Sequence, residues 1–242
     1  MKAMIFAAGL GTRLRPLTND RPKALVEVKG TALLEITIKK LIHFGVTDII
    51  INIHHFPEKI QDFLRKNDNF GIRIVTSHEE ENPLETGGGL KKAAWFFDDD
   101  KPFFICNADI LSNINLKKMY EAHIASEAVA TYAIQMRDTS RYMLHNTEGV
   151  MCGWMNTKTK IVRMGRQAEN LGMFSFSCFH VINPAIFKTT PAEEFFTIIE
   201  WYLNICNQHK VMGYRHDEDL WCDIGSPQTL AEAENIIDAL TI

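Results

Sequence analysis

Between residues 7 and 25 the chain gathers Gly9, Gly11, Thr12, Arg13 and Lys23 into one connection, directly after a short apolar run from Ala3 to Phe6. Glycine lets the backbone approach a ligand without a Cβ in the way. Backbone N–H groups beside fixed cations make a cradle for phosphate oxygens. Arg13 offers a planar fork suited to two such oxygens, and Lys23 a compact charge on a flexible stem that can follow a phosphate as it changes partners. Pro22 fixes the backbone ahead of that lysine. These residue types suit the handling of a polyphosphate. A glycine turn with incidental surface cations is the plainer account of Gly9 and Gly11 alone, and Arg13, Pro16, Pro22 and Lys23 together count against it. Two commoner phosphate motifs fail: there is no G-x-x-x-x-G-K-[ST] run, and Leu14 stands where G-x-G-x-x-G needs its third glycine.

Two carboxylates emerge from apolar stretches. Asp109 closes Phe103-Phe104-Ile105-Cys106-Asn107-Ala108-Asp109, and Asp223 lies in Trp221-Cys222-Asp223-Ile224-Gly225-Ser226. Mg²⁺ takes oxygen ligands and keeps several waters, so one or two carboxylates plus substrate phosphates suffice for it. The pair is the candidate metal site, with a capping aspartate the equal alternative for either taken singly. The acidic run Asp98-Asp99-Asp100 reads instead as a solvated turn. The run Pro83-Leu84-Glu85-Thr86-Gly87-Gly88-Gly89 reads either as a base-binding loop with open backbone donors or as a flexible lead-in to a helix.

The elements that must position these residues follow from periodicity. Apolar runs at 3–7, 48–53, 72–76 and 102–106 read as buried strands, with helical patterns at about 32–44 and 57–66 between the first three. Alternation of this kind predicts an α/β fold, a Rossmann-like, mostly parallel sheet with helices on both faces and ligand contacts at strand ends. Helices are expected from Gly88 to Phe97 and from Leu116 to Ala125. Strand-like segments at 128–136, 149–155, 160–164 and 173–182 suggest a small β-rich substrate lobe, and helices at about 192–208 and 227–240 complete the chain. Phe196, Ile199 and Trp201 form a stripe that suits either a homodimer face or, more commonly, buried core.

With 242 residues and nothing resembling a linker, a single domain spanning 1–242 is expected. The net charge of −4 provides no general basic field, which disfavours nucleic acid. Five scattered cysteines without C-x-x-C spacing fit reduced packing residues in a cytoplasm. The N-terminus reads as neither a signal peptide nor a membrane span.

Taken in order, the three elements resemble the sugar-1-phosphate nucleotidyltransferases. Their G-x-G-T-R and P-K signature appears as Gly9-Leu10-Gly11-Thr12-Arg13 and Pro22-Lys23, and their N-x-D and D-[VI]-G-T segments as Asn107-Ala108-Asp109 and Asp223-Ile224-Gly225-Ser226. Leu84 to Gly89 looks most like the N-acetylmuramate 1-phosphate uridylyltransferases, while many mannose 1-phosphate guanylyltransferases carry L-G-T-[AG]-G there. No hexapeptide repeats follow, so acyl transfer is not expected. The family's frequent P-K-P-L is Pro22-Lys23-Ala24-Leu25 here, and its E-K-P segment is absent, leaving Arg166 as the nearest cation.

The resemblance implies Mg²⁺-dependent transfer of a nucleoside monophosphate from a nucleoside triphosphate to a sugar 1-phosphate, with UTP preferred over GTP and a place in cell-wall recycling. It assigns Ala8, Gly9, Gly11, Thr12, Arg13, Thr86, Gly87 and Gly88 to the nucleotide. Arg13 and Lys23 become the catalytic cations, and Asp109 with Asp223 the metal ligands. Lys23, Asn107, Arg166, Glu169 and Ser177 fall to the sugar phosphate, although the strand Phe174 to Cys178 reads equally well as core. A non-catalytic nucleotide-sugar binder is the alternative from another class. An oxidoreductase is disfavoured by the failed dinucleotide fingerprint.

Overall fold

The computed structural model describes residues 1–240. In chain order the elements are β1 (Lys2–Phe6), β2 (Glu27–Val28), β3 (Thr31–Ala32), α1 (Leu33–His43), β4 (Asp48–Ile53), α2 (Pro57–Lys66) and β5 (Arg73–His78). Then come α3 (Glu85–Lys92), β6 (Phe103–Asn107), β7 (Ile110–Ser112), α4 (Leu116–Ser126), β8 (Ala130–Gln135), β9 (Arg141–His145), β10 (Met151–Asn156) and β11 (Ile161–Met164). The last are β12 (Gly172–Ile182), α5 (Ile198–Ile205), β13 (Val211–Arg215), β14 (Trp221–Asp223) and α6 (Pro227–Ile236). The architecture is α/β as expected. The described residues divide into two compact units, 1–84, 105–114 and the stretch from 219 onward in one and 85–104 and 115–218 in the other.

In the first unit, β1 to β5 run as two successive β-α-β crossovers. β1 pairs with β4 in parallel, Met4 opposite Ile50, and β4 pairs with β5 in parallel, Ile50 opposite Val75. A long crossover is obligatory here, because parallel neighbours cannot be joined by a tight turn, and α1 and α2 supply it. α1 turns Leu33, Leu34, Ile38 and Leu41 inward at helical spacing, and α2 starts on Pro57, where a missing N–H costs nothing. Strand order is β6-β1-β4-β5. The chain therefore proceeds from β1 to one side and places β6 on the other, which makes the carboxyl ends of β1 and β6 a topological switch point. Leu14, Val26, Val28, Leu33, Leu111, Cys222, Ile224, Ala233 and Leu240 form one buried cluster. Its members include the chain neighbours of Arg13 and Asp223, so the packing that stabilises the unit also fixes the residues suited to chemistry.

The second unit is β-rich and no small appendage. β8 pairs with β12, β12 with β9, β9 with β10 and β10 with β11, all antiparallel, and β13 joins β8 in parallel. β9 and β13 were not expected as strands. Two helix boundaries differ from the sequence reading. α3 begins at Glu85 and takes in all three glycines, which are buried, and ends at Lys92 before a single 3₁₀ turn at Ala94–Phe96. α5 begins only at Ile198, where Thr197 and Glu200 form a capping box. Phe196 and Trp201 are buried and Ile199 is half-buried, so most of that stripe packs into the core. Asp98, Asp99 and Asp100 are exposed, as a turn requires. No described helix is long and apolar enough to cross a membrane.

Candidate active site

The signature loop leaves β1 at the switch point. Gly11 adopts φ 62°, a left-handed backbone that favours glycine, and caps a 3₁₀ turn at Thr12–Leu14. A Cβ on Gly11 would also stand 3.0 Å from Lys23 Cβ and 3.1 Å from Thr18 Cγ2, while Thr18 Oγ1 donates to Gly11 O at 2.9 Å. The fold therefore demands this glycine. Gly9 is different. Its φ lies outside the left-handed region and a Cβ there would meet nothing within 4 Å, so packing does not require glycine. The open space is what a ligand's approach to the backbone would use. Ala8 is buried, Thr12 and Arg13 are exposed.

β6 ends at Asn107, half-buried, and a two-residue turn of Ala108 and Asp109 leads into β7. That turn is fixed from three sides. Ala108 N donates to Phe6 O at 3.0 Å, and Ile224 N donates to Asp109 O at 2.9 Å. Thr37 Oγ1, donating to Leu33 O at 3.0 Å, also reaches Ala108 O at 3.4 Å. β7 pairs antiparallel with β14, setting Ile110 opposite Asp223. Two aspartates from distant parts of the sequence are thus delivered to one place.

Lys23 stands between them. Its Nζ donates to Asp109 Oδ2 and lies 3.9 Å from Asp223 Oδ1. The three side chains are 13, 23 and 41% exposed, which leaves the group sheltered yet reachable. Arg13 joins it from the loop side. A Cβ on Gly225 would fall 3.1–3.2 Å from the Arg13 guanidinium, so glycine at 225 is what lets the arginine lie against the β14–α6 connection. Two cations from the signature and two carboxylates from separate strand ends converge.

Supporting residues that the sequence reading did not single out complete the arrangement. Asn52, 3% exposed at the end of β4, accepts from Ala7 N at 2.8 Å through Oδ1 and donates through Nδ2 to Glu79 Oε1 at 2.8 Å. Glu79, 1% exposed, accepts from Leu84 N at 2.7 Å on its other oxygen. Lys40 of α1 is buried and donates to Ser112 O at 2.7 Å, while Ser112 Oγ donates to Leu220 O at 2.6 Å, tying β7 to the entry of β14. Burial pushes the Lys40 ammonium down to about 8. A polar residue inside an otherwise apolar strand was the available signal for Asn52, in Ile49-Ile50-Ile51-Asn52-Ile53.

The remaining sequence candidates lie in the second unit. Gly87 N and Gly88 N both donate to Phe196 O, at 2.9 and 3.1 Å, and Thr86 Oγ1 accepts from Ile198 N at 2.9 Å. The expectation of a loop with open backbone donors is corrected accordingly. A Cβ on Gly87 would collide with the Phe196 ring and its carbonyl, so close packing explains that glycine. Arg166 Nε donates to Cys206 O at 2.8 Å and Nη2 to Asn207 O at 3.2 Å. Two of its five N–H donors thus cap the end of α5, and a sugar-phosphate role for this half-buried side chain rests on the sequence resemblance alone. Glu169 is exposed, and Ser177 is buried within β12.

Two carboxylates meeting on one cation are a donor set that suits a hard divalent ion. Among the described residues there is no group of three or more His, Cys, Asp or Glu side chains that would hold a metal. Asp109 and Asp223 offer oxygen donors of the kind that Mg²⁺ sites take one or two of, with water and phosphate completing the shell.

A parallel sheet with a glycine-bearing loop at its switch point, two cations and two convergent aspartates defines a nucleotide-handling transferase. Residues 2–150 match the family model described as nucleotidyl transferase, and the chain belongs to that family. Over 241 residues it is 33% identical to an N-acetylmuramate alpha-1-phosphate uridylyltransferase of Caulobacter vibrioides, covering 96% of this chain and 95% of the relative. A mannose-1-phosphate guanyltransferase of Aspergillus fumigatus is 32% identical over 94% of this chain and 62% of its own length. The fold matches a crystal structure of a putative glucose-1-phosphate thymidylyltransferase from Bacillus anthracis with a TM-score of 0.83 at 15% identity, covering 100% of this chain and 97% of that one. The class is sugar-1-phosphate nucleotidyltransferase.

Proposed function

We propose that the whole chain acts as one Mg²⁺-dependent domain that transfers a uridylyl group from UTP to N-acetylmuramate 1-phosphate, releasing pyrophosphate. The observation that carries the reaction is Lys23 Nζ held between Asp109 and Asp223 beside the Gly9–Arg13 loop. A sugar phosphate has its second pKa near ~6, so at neutral pH it is already a dianion and needs no general base. No enzyme nucleophile is needed either. The task is to hold two anions in line, and fixed cations supply the stabilisation. Arg13 and the loop N–H groups bind the triphosphate. Lys23, on its flexible stem, turns from the aspartates to the α-phosphate and the incoming phosphate. Asp109 and Asp223 hold Mg²⁺, which when bound neutralises phosphate charge.

Asn107, at the end of β6, is assigned to the sugar phosphate, and Glu169, Ser177, Thr86, Gly87 and Gly88 carry only the sequence resemblance. UTP and N-acetylmuramate 1-phosphate are preferred because the Caulobacter relative aligns over nearly the full length of both chains. GTP with mannose 1-phosphate is the second reading, favoured by the 32% identity to the fungal guanyltransferase. Five free cysteines suit a reducing cytoplasm, where such an enzyme would serve cell-wall recycling. The test is pyrophosphate release with Mg²⁺, crossing UTP, GTP, CTP, ATP and dTTP with N-acetylmuramate, N-acetylglucosamine, mannose and glucose 1-phosphates. Release confined to GTP with mannose 1-phosphate selects the second reading, and none from folded protein argues for a binder.

A further inference from the structure

Every donor and acceptor in the Asn52–Glu79 pair points one way. Ala7 N–H donates to Asn52 Oδ1, Asn52 Nδ2 donates to Glu79 Oε1, and Leu84 N–H donates to Glu79 Oε2. Turning the Asn52 amide over would set its NH₂ against Ala7 N–H and its oxygen against the carboxylate, so the polarity fixes the side chain. The pair is also held from behind, because Glu79 N donates to Ile53 O at 2.8 Å and His54 Nδ1 lies 2.6 Å from Glu79 O. Both side chains are almost fully buried, where water cannot replace a lost partner. Ala7 is the first residue after β1 and the entry to the Ala8–Arg13 loop.

We infer that Asn52 and Glu79 are positioning residues that fix the direction in which the signature loop leaves β1, and so set nucleotide affinity without touching the nucleotide. This rests on the reading of that loop as the triphosphate site. Misplacement of a binding group by about 1 Å costs as much as ~100-fold.

The pair can be inverted chemically, which gives a test by rescue. Asn52→Asp sets a carboxylate against the Glu79 carboxylate. Glu79→Gln sets an NH₂ against either Asn52 Nδ2 or Leu84 N–H. The double variant, Asn52→Asp with Glu79→Gln, restores every bond. Its new amide at position 79 donates to the new carboxylate at position 52, which still accepts from Ala7 N–H, while the amide oxygen accepts from Leu84 N–H. Nucleotide KM and kcat are measured for wild type, both single variants and the double. Each single variant is expected to raise KM for the nucleoside triphosphate by at least about 10-fold with a smaller change in kcat, and the double to return within about 3-fold of wild type. Singles at the wild-type KM, or a double whose loss is the product of the two, would overturn the inference. Should the singles fail to fold, a folded double with wild-type KM supports it and an unfolded double overturns it. Amide exchange over residues 7–12 in the same proteins needs no nucleotide. It should quicken in the singles and recover in the double, and equal exchange throughout counts against the inference even if the wild type proves to bind no nucleotide.

Discussion

Lys23 is the residue on which most depends. Its ammonium satisfies two carboxylates in the free protein, and the proposed reaction asks it to serve phosphate oxygens instead. Lys23→Ala should lower turnover by roughly 10²–10⁴, the scale of one preorganised electrostatic contact. The same variant should bind Mg²⁺ more tightly in the absence of nucleotide, because Asp109 and Asp223 lose their resident cation. Isothermal titration with Mg²⁺ checks this, and equal affinity in both proteins would remove the aspartates from the metal site. The glycines separate by the same logic. Gly9→Ala meets open space and should leave stability within about 0.5 kcal/mol of wild type, while weakening nucleotide binding. Gly225→Ala puts a methyl group against the Arg13 guanidinium and should reduce turnover through that arginine. Thermal melts beside steady-state kinetics distinguish the two effects.

At the scale of elements, the second unit's helix α5 depends on its start. Thr197 Oγ1 accepts from Glu200 N at 3.2 Å, and Glu200 Oε2 accepts from Thr197 N at 2.9 Å. Thr197→Ala should cost about 1 kcal/mol, and Thr197→Ser much less, in denaturant unfolding. Phe196 O, just ahead of that cap, receives the N–H groups of Gly87 and Gly88, so α3 and α5 are coupled at their N-termini. The capping box T-x-x-E was legible in Thr197-Ile198-Ile199-Glu200, and it places the helix start later than apolar content alone implied. The three glycines were harder. In sequence they signal a flexible loop, and only the nearness of the Phe196 ring to Gly87 shows that the small size of that glycine serves helix packing.

For the molecule as a whole, acid is the informative stress. Burial pushes His123 and His145 down to about 4 and His180 to about 3. Each stays neutral in the fold, while the unfolded chain takes up a proton near pH ~6.5. The unfolded state thus binds more protons as pH falls from about 6.5 towards 4, and stability declines over that window by as much as roughly 1.4 kcal/mol per pH unit for each histidine. All three belong to the second unit, with His145 accepting or donating at Tyr132 and His180 at Tyr202. Denaturant midpoints at about pH 7.5, 6 and 5 test the slope. A flat profile would mean that these histidines titrate normally in the folded protein.

The sequence by itself determined the parallel β-α-β frame, because alternating apolar runs and helical stripes allow few other solutions. It also determined the chemical types at the site, since Gly9, Gly11, Arg13 and Lys23 lie within one connection and declare their use together. Pairing Asp109 with Asp223 was already a sequence expectation, and the meeting of β7 with β14 gives its physical reason. What only the tertiary structure decided was which partners each group already has. The sequence places Gly87 beside a ligand, whereas the fold commits its N–H to the Phe196 carbonyl. The sequence marks Asn52 only as a polar residue in an apolar strand and does not join it to Ala7 or Glu79, because those hydrogen bonds link residues 27 to 45 positions apart. Local spacing fixes which element a residue joins, but hydrogen-bond partners are set by how the elements pack.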